Sequence, residues 1–207
     1  MTHEIIKRKV KKMLEGRDPA HDFYHIMRVY KNAKLIGRRE GSNMEILLTA
    51  VLLHDLVVYP KGSNKSFKSS DESADLAENI LLSYGYPQDQ INHISSCIRA
   101  HSYSKRFVPE SLEGRILQDA DRLDALGAIG IARTFSVGGS QNRTFYNAND
   151  PFCRSDRELD DIRWTLDHFQ AKLLKLKDLM HTGTAKKIAQ QRTKFMMLFI
   201  RQLQKEI

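Results

Sequence analysis

The run Met44-Glu45-Ile46-Leu47-Leu48-Thr49-Ala50-Val51-Leu52-Leu53 is apolar nearly all the way round a helix, and it ends in His54-Asp55. A helix of that kind belongs in the centre of a domain. Two costly polar groups therefore stand at the end of the most buried element. Burying a histidine and a carboxylate there costs several kcal/mol unless they are paired or bind a metal. Neighbours within a helix point about 100° apart, yet at a C-terminus, where the backbone is leaving helical geometry, both side chains can converge on one ion.

The remaining punctuation is also helical. Residues 5–15 carry Ile5, Ile6, Val10, Met13 and Leu14 at helical spacing and stop at Gly16. Asp22 is placed to cap a helix with Phe23, Ile26, Val29, Tyr30, Ala33 and Ile36 on its apolar side, ending near Gly41. Ser42 with Glu45 forms a capping box for the central helix, and Ser69 with Glu72 forms another for a helix reaching Tyr84. Pro87 opens a helix through Ala100 and Pro109 one through Leu117, since proline is tolerated in a first turn. Residues 119–135 continue in helical register, with Gly127 and Gly130 allowing close packing or a bend. Irregular segments are expected at 59–70 and 137–157, and two long amphipathic helices at 159–180 and 185–205, joined through Thr182-Gly183-Thr184. No apolar–polar alternation runs beyond about four residues and no internal repeat occurs. The expected fold is all-α, a single-domain helical bundle over residues 1–207 with its core at 20–135 and a C-terminal helical pair at 159–206.

Composition narrows the class. Among 207 residues, 41% are apolar and 28% charged, enough for a real core and too balanced for wholesale disorder. No stretch approaches the roughly 20 apolar residues that cross a bilayer, so no membrane partner is expected. The segment 1–9 carries charges where a signal peptide needs apolar residues. Cys97 and Cys153 form no C-x-x-C pair and read as reduced thiols, so a cytoplasmic location is expected. Lys and Arg number 33 against 25 Asp and Glu, a net charge of +8, which favours anionic partners such as phosphates.

Three segments carry the chemistry: His21-Asp22-Phe23-Tyr24-His25, the His54-Asp55 doublet, and Gln118-Asp119-Ala120-Asp121-Arg122-Leu123-Asp124. In this order they resemble the motifs of the HD superfamily of metal-dependent phosphohydrolases, most closely its small bacterial YedJ/YpgQ-type branch. The likeness covers most of the chain, including residues 127–133 and 168–174. It implies that His25, His54, Asp55 and Asp121 ligate one divalent metal. Spacing alone does not separate Asp121 from Asp119 or Asp124; the family register does. Two imidazoles and two carboxylates leave about two of six positions for water and a phosphate oxygen, which suits Mn²⁺ first, and Fe²⁺, Ni²⁺ or Mg²⁺ after it, over a closed zinc site. Two-ion members carry a further histidine opening the next helix. Here Asp71-Glu72-Ser73-Ala74 stands in its place, a departure that argues against a second ion.

The surrounding candidates each have a plainer alternative. Glu72 is a general base or the glutamate of a capping box. His101 donates to a phosphate or leaving group, or is a solvated histidine at a helix end. Arg28 and Arg122 flank the ligands and are the first candidates to hold phosphate charge, with Lys172 and Arg133 next. Asp124 is expected to support the ligands or pair with Arg28. His168 and Lys172 share a helical face, as a phosphate contact or a surface pair. Lys61, Lys65 and Lys68 punctuate the loop after the doublet and are placed to meet distal phosphates. His3, His93 and His181 lack an acidic constellation and are expected at the surface. The apolar stripe 195–200 is a core or subunit contact, the latter compatible with a homodimer.

No P-loop and no dinucleotide fingerprint occurs. The resemblance favours nucleoside or deoxynucleoside triphosphates split between the α and β phosphates to release pyrophosphate. Nucleoside monophosphate or cyclic-nucleotide hydrolysis needs nearly the same metal site. A reading of another class, a nucleotide- or nucleic-acid-binding module with a structural metal, fits the charge. It finds no recognised DNA-binding motif and no aromatic platform among the basic residues.

Overall fold

The computed structural model describes residues 2–18, 21–59, 64–102, 105 and 107–207. Lys61 lies outside the described residues. Among those described there are nine α-helices and no strand, with one isolated bridge between Thr144 and Trp164. The all-α expectation therefore holds. The chain forms two compact units, Met1–Asp121 and Arg122–Ile207.

In the first unit α1 (Thr2–Met13), α2 (Phe23–Glu40), α4 (Ser69–Ser83) and α5 (Gln88–Ala100) all pack against α3 (Met44–Leu53). The cause is the apolar run: Ile46 to Leu53 are all buried, so α3 has no face to give to water. Its neighbours each supply one stripe, such as Ile6 and Val10 of α1, Ile26, Val29, Ala33 and Ile36 of α2, and Ile91, Ile94 and Ile98 of α5. Each fully buried Leu or Ile contributes about 1.5–3 kcal/mol. At Gly37 a Cβ would run into the side chains of Leu47, Ser42 and Met44, so glycine sets how closely α2 and α3 approach.

Both capping boxes are replaced by other contacts. Asn43, one residue after Ser42, caps α3 by accepting from the Glu45 and Ile46 amides, while buried Glu113 accepts the Asn43 N–H at 2.7 Å. Helix α4 is entered through the 3₁₀ turn Ser66–Lys68, with no side-chain cap. Ser69 Oγ instead accepts from the Tyr59 amide, and Glu72 Oε2 accepts from the Tyr59 hydroxyl at 2.7 Å.

The helical register expected to continue past Leu117 does so, as α6 runs unbroken over Leu112–Asp124. Gln118, buried, uses its side-chain amide to hold the Ala100 and Phe107 carbonyls, so this turn is core. Pro109 precedes the helix. The chain bends later, at Gly127, whose φ of 76° favours glycine, and α7 (Gly127–Ser140) begins there.

The expected helix 159–180 is largely absent, leaving only α8 (Asp167–Ala171) and the 3₁₀ segment Leu173–Leu179. Carboxylates compete for the backbone: Asp160 Oδ1 accepts from the Ile162 and Arg163 amides, and buried Asp167 accepts from the Asp160 amide and pairs with both Nη atoms of Arg157. Asp side chains that bind local amides offer an alternative to the helix. The last helix, α9 (Gly183–Glu206), is present as expected but starts earlier: Thr182 caps it by accepting from the Ala185 amide, and Gly183 and Thr184, expected in the turn, belong to the helix. Of its apolar stripe, Met196 is buried, whereas Phe195, Met197 and Leu198 are exposed, so the stripe is not simply core.

Candidate metal centre

All of the first unit's buried imidazoles meet at one end of α3. Asp22 caps α2 and accepts the His25 amide at 2.9 Å, which fixes the first turn and with it the direction of the His25 ring. The capping role expected of Asp22 is thus the one the structure shows. His54 is the C-cap of α3 and His101 the C-cap of α5. Each turns Nδ1 onto the carbonyl three residues back, His54 onto Val51 at 2.8 Å and His101 onto Ile98 at 2.6 Å. A carbonyl only accepts, so Nδ1 carries a proton in both rings, and in the neutral ring Nε2 keeps its lone pair. That is the tautomer in which a histidine binds metal.

The Nε2 atoms face carboxylates. His25 Nε2 lies 3.5 Å from both Asp55 Oδ2 and Asp121 Oδ1, His54 Nε2 is 3.7 Å from Asp55 Oδ2, and His101 Nε2 is 3.3 Å from Asp55 Oδ1. The ring centroids of His54 stand 5.5 Å from His25 and 4.9 Å from His101. Ligand atoms of His25, His54 and Asp121, and likewise of His54, Asp55 and His101, lie within 4.8 Å of one another. His54 Nε2 is buried with no hydrogen-bond partner. An orphaned lone pair facing carboxylates is the donor set a divalent ion satisfies, so these residues fit one.

The electrostatics agree. Burial alone raises the Asp55 carboxyl, but His54, His101 and His25 together hold it well below the usual carboxylate range. Burial pushes the His54 imidazole down, keeping it neutral. Burial also lowers His101, but the hydrogen bond and charge of Asp55 outweigh it, and its proton affinity is raised. Asp119, the rival to Asp121, is fully buried and outside these clusters; Asp121 is the acid brought to the imidazoles.

His101 is therefore no solvated helix end. A signal was available in the sequence: like His54, it directly follows the last apolar turn of a buried helix. Glu72 is engaged by Tyr59, and Lys65 stands 5.9 Å from the centre of the Tyr59 ring. Arg28, one turn on from His25 along α2, is half-buried. His3 and His93, expected without acids, lie 3.3 Å from Glu45 and Glu113 respectively.

Within the second unit, Arg122 donates to the Leu179 carbonyl and lies 3.2 Å from His181 Nε2. Arg133 pairs with buried Asp124 at 2.9 Å. His168 Nδ1 is 2.7 Å from Asp161 Oδ2, and Lys172 follows the end of α8 with φ −134°, so the two do not share a continuing helical face.

A helical domain whose histidines and aspartates converge in this way is an HD domain. Residues 22–126 match the HD domain family model, and the chain belongs to that family, making it a metal-dependent phosphohydrolase. The chain is 34% identical to the Bacillus subtilis (strain 168) protein YpgQ, covering 99% of this chain and 93% of the relative. The crystal structure of B. subtilis YpgQ in complex with ADP is similar with a TM-score of 0.77 at 35% identity, covering 99% of this chain and 94% of that one. An HD-superfamily hydrolase from Bacillus thuringiensis is similar at 36% identity and a TM-score of 0.77, covering 99% and 96%. Among the described residues no helix is long and apolar enough to cross a membrane.

Proposed function

We propose that this phosphohydrolase acts on nucleotides, splitting nucleoside or deoxynucleoside triphosphates into a monophosphate and pyrophosphate. His25, His54, Asp55 and Asp121 hold one divalent ion, Mn²⁺ by preference. The observation that carries the assignment is the buried, unsatisfied His54 Nε2 facing ionised Asp55. The ADP complex of YpgQ supports a nucleotide as the ligand. When bound, the ion withdraws charge from a phosphoryl oxygen and acidifies water.

The chain's own residues supply the rest. His101 holds Asp55 Oδ1 and fixes how that carboxylate is turned. Glu72, kept in place by the Tyr59 hydroxyl, accepts the proton of the attacking water. The new P–O bond forms at the α-phosphorus as the bond to the bridging oxygen breaks, and pyrophosphate leaves with the electron pair. Arg28 holds charge on the phosphates near the ligands, and Lys65 and Lys68 hold the distal ones.

Purified protein with Mn²⁺, offered nucleoside mono-, di- and triphosphates, cyclic nucleotides and generic phosphoesters, is expected to release pyrophosphate from triphosphates. Release of inorganic phosphate from monophosphates alone would overturn the substrate assignment and leave the metal centre standing.

A further inference from the structure

Adjacent residues of a helix cannot aim at one point, so something must hold the chain where His54 and Asp55 converge. The turn after α3 is gripped from two sides. From α4, the buried Ser73 hydroxyl accepts the Val57 N–H at 3.0 Å and lies 3.2 Å from the Val57 carbonyl. The second grip comes from Arg17, in the turn beyond α1. Its Nη1 donates to the Asp55 carbonyl at 3.0 Å and its Nη2 to the Leu56 carbonyl.

The base of Arg17 is itself anchored. Leu14 is buried in the core, the Arg17 amide donates to the Leu14 carbonyl, and Gly16, with φ of 79°, lets the chain turn between them. The guanidinium is a planar fork, so two carbonyls of successive residues are taken in one fixed geometry. The Asp55 and Leu56 carbonyls follow the C-cap of α3, at the negative end of its dipole, and that field together with the Asp55 charge offsets part of the cost of burying the guanidinium.

We propose that Arg17 is a positioning residue for the metal centre: by clamping the Asp55 and Leu56 carbonyls it holds the backbone at the one bend where His54 Nε2 and the Asp55 carboxylate reach the same ion. The inference rests on the proposed ligand set. Arg17 touches neither ion nor substrate, and its effect is read in metal affinity.

Calorimetric titration of the metal-free protein with Mn²⁺ tests it. In Arg17→Met the affinity is expected to fall by about 10–100-fold, the usual cost of losing a group that orients a ligand. Arg17→Lys, which keeps the charge and can reach one carbonyl, falls between that variant and wild type. Val10→Ala, which removes buried surface from α1 without touching the clamp, lowers the melting temperature and leaves the affinity within about twofold. Wild-type affinity in Arg17→Met, or an equal loss in Val10→Ala, overturns the clamp. Should Arg17→Met fail to fold, wild-type affinity in Arg17→Lys overturns it. A wild-type protein that binds no Mn²⁺ overturns the ligand set itself, a different result from unchanged binding in the variants.

Discussion

A carbonyl oxygen has no proton to give, and that limit decides what His54 and His101 can do. With Nδ1 spent on Val51, neutral His54 offers only a lone pair to the centre, whereas His101, its Nδ1 spent on Ile98 and its proton affinity raised by Asp55, takes a second proton on Nε2 more readily and donates it to that carboxylate. Replacing His54 or Asp121 with alanine should therefore lower the metal that co-purifies with the chain, as elemental analysis would show; full occupancy in both variants would refute the ligand set. Because an ion bound only by the folded state stabilises it by mass action, Mn²⁺ should raise the melting temperature of wild type and not of these variants. Glu72 has a different signature. Glu72→Gln should leave metal content unchanged and reduce kcat by about 10²–10⁴-fold, the usual contribution of a general base. An unchanged kcat would return Glu72 to its structural contact with Tyr59.

Helices are where the sequence could be read well, and their ends where it could not. Gly130 illustrates how tightly an end is set: a Cβ there would meet the Ala125 carbonyl, a backbone group that cannot rotate away. Gly130→Ala should cost about 1–3 kcal/mol of stability, measured by urea unfolding, as overpacking usually does. The irregular segment before α8 makes a pH prediction. Hydrogen bonds from Ser155 Oγ and from the Arg154 and Ser155 amides hold the Asp150 carboxyl down at about 2, against an ordinary 3.8. A depressed carboxyl stabilises the folded chain fully above 3.8 and loses that contribution as pH falls through about 2. The melting-temperature gap between wild type and Asp150→Asn should accordingly be constant above pH 3.8 and narrow below it. Helix α3 was legible because eight consecutive buried residues leave only one place for it. Residues 159–166 read as helix from their apolar spacing, but the competing hydrogen bonds of Asp160 and Asp167 depend on Arg157 and on backbone geometry that no periodicity encodes. His101 is a candidate from the sequence, but its contact with Asp55 is not legible there, for a similar reason: that acid is far away along the chain and arrives only through packing of α5 on α3.

Across the whole molecule the charge of +8 bears on encounter more than on fold. If it steers anionic substrates, kcat/KM should fall as salt rises from about 50 to 300 mM, because screening shortens the reach of the field. Serine at Lys61, Lys65 and Lys68 together should raise KM for triphosphates far more than for monophosphates; equal shifts would remove that loop from substrate recognition. The division into compact units carries one more consequence. The proposed ligands follow one another along the chain as His25, His54, Asp55 and Asp121, and the first unit closes at Asp121. A ribosome delivers them in that order, so α2, α3 and α5 emerge before the last carboxylate exists. An ion met during synthesis finds an unfinished set, and secure loading waits until α6 has left the ribosome.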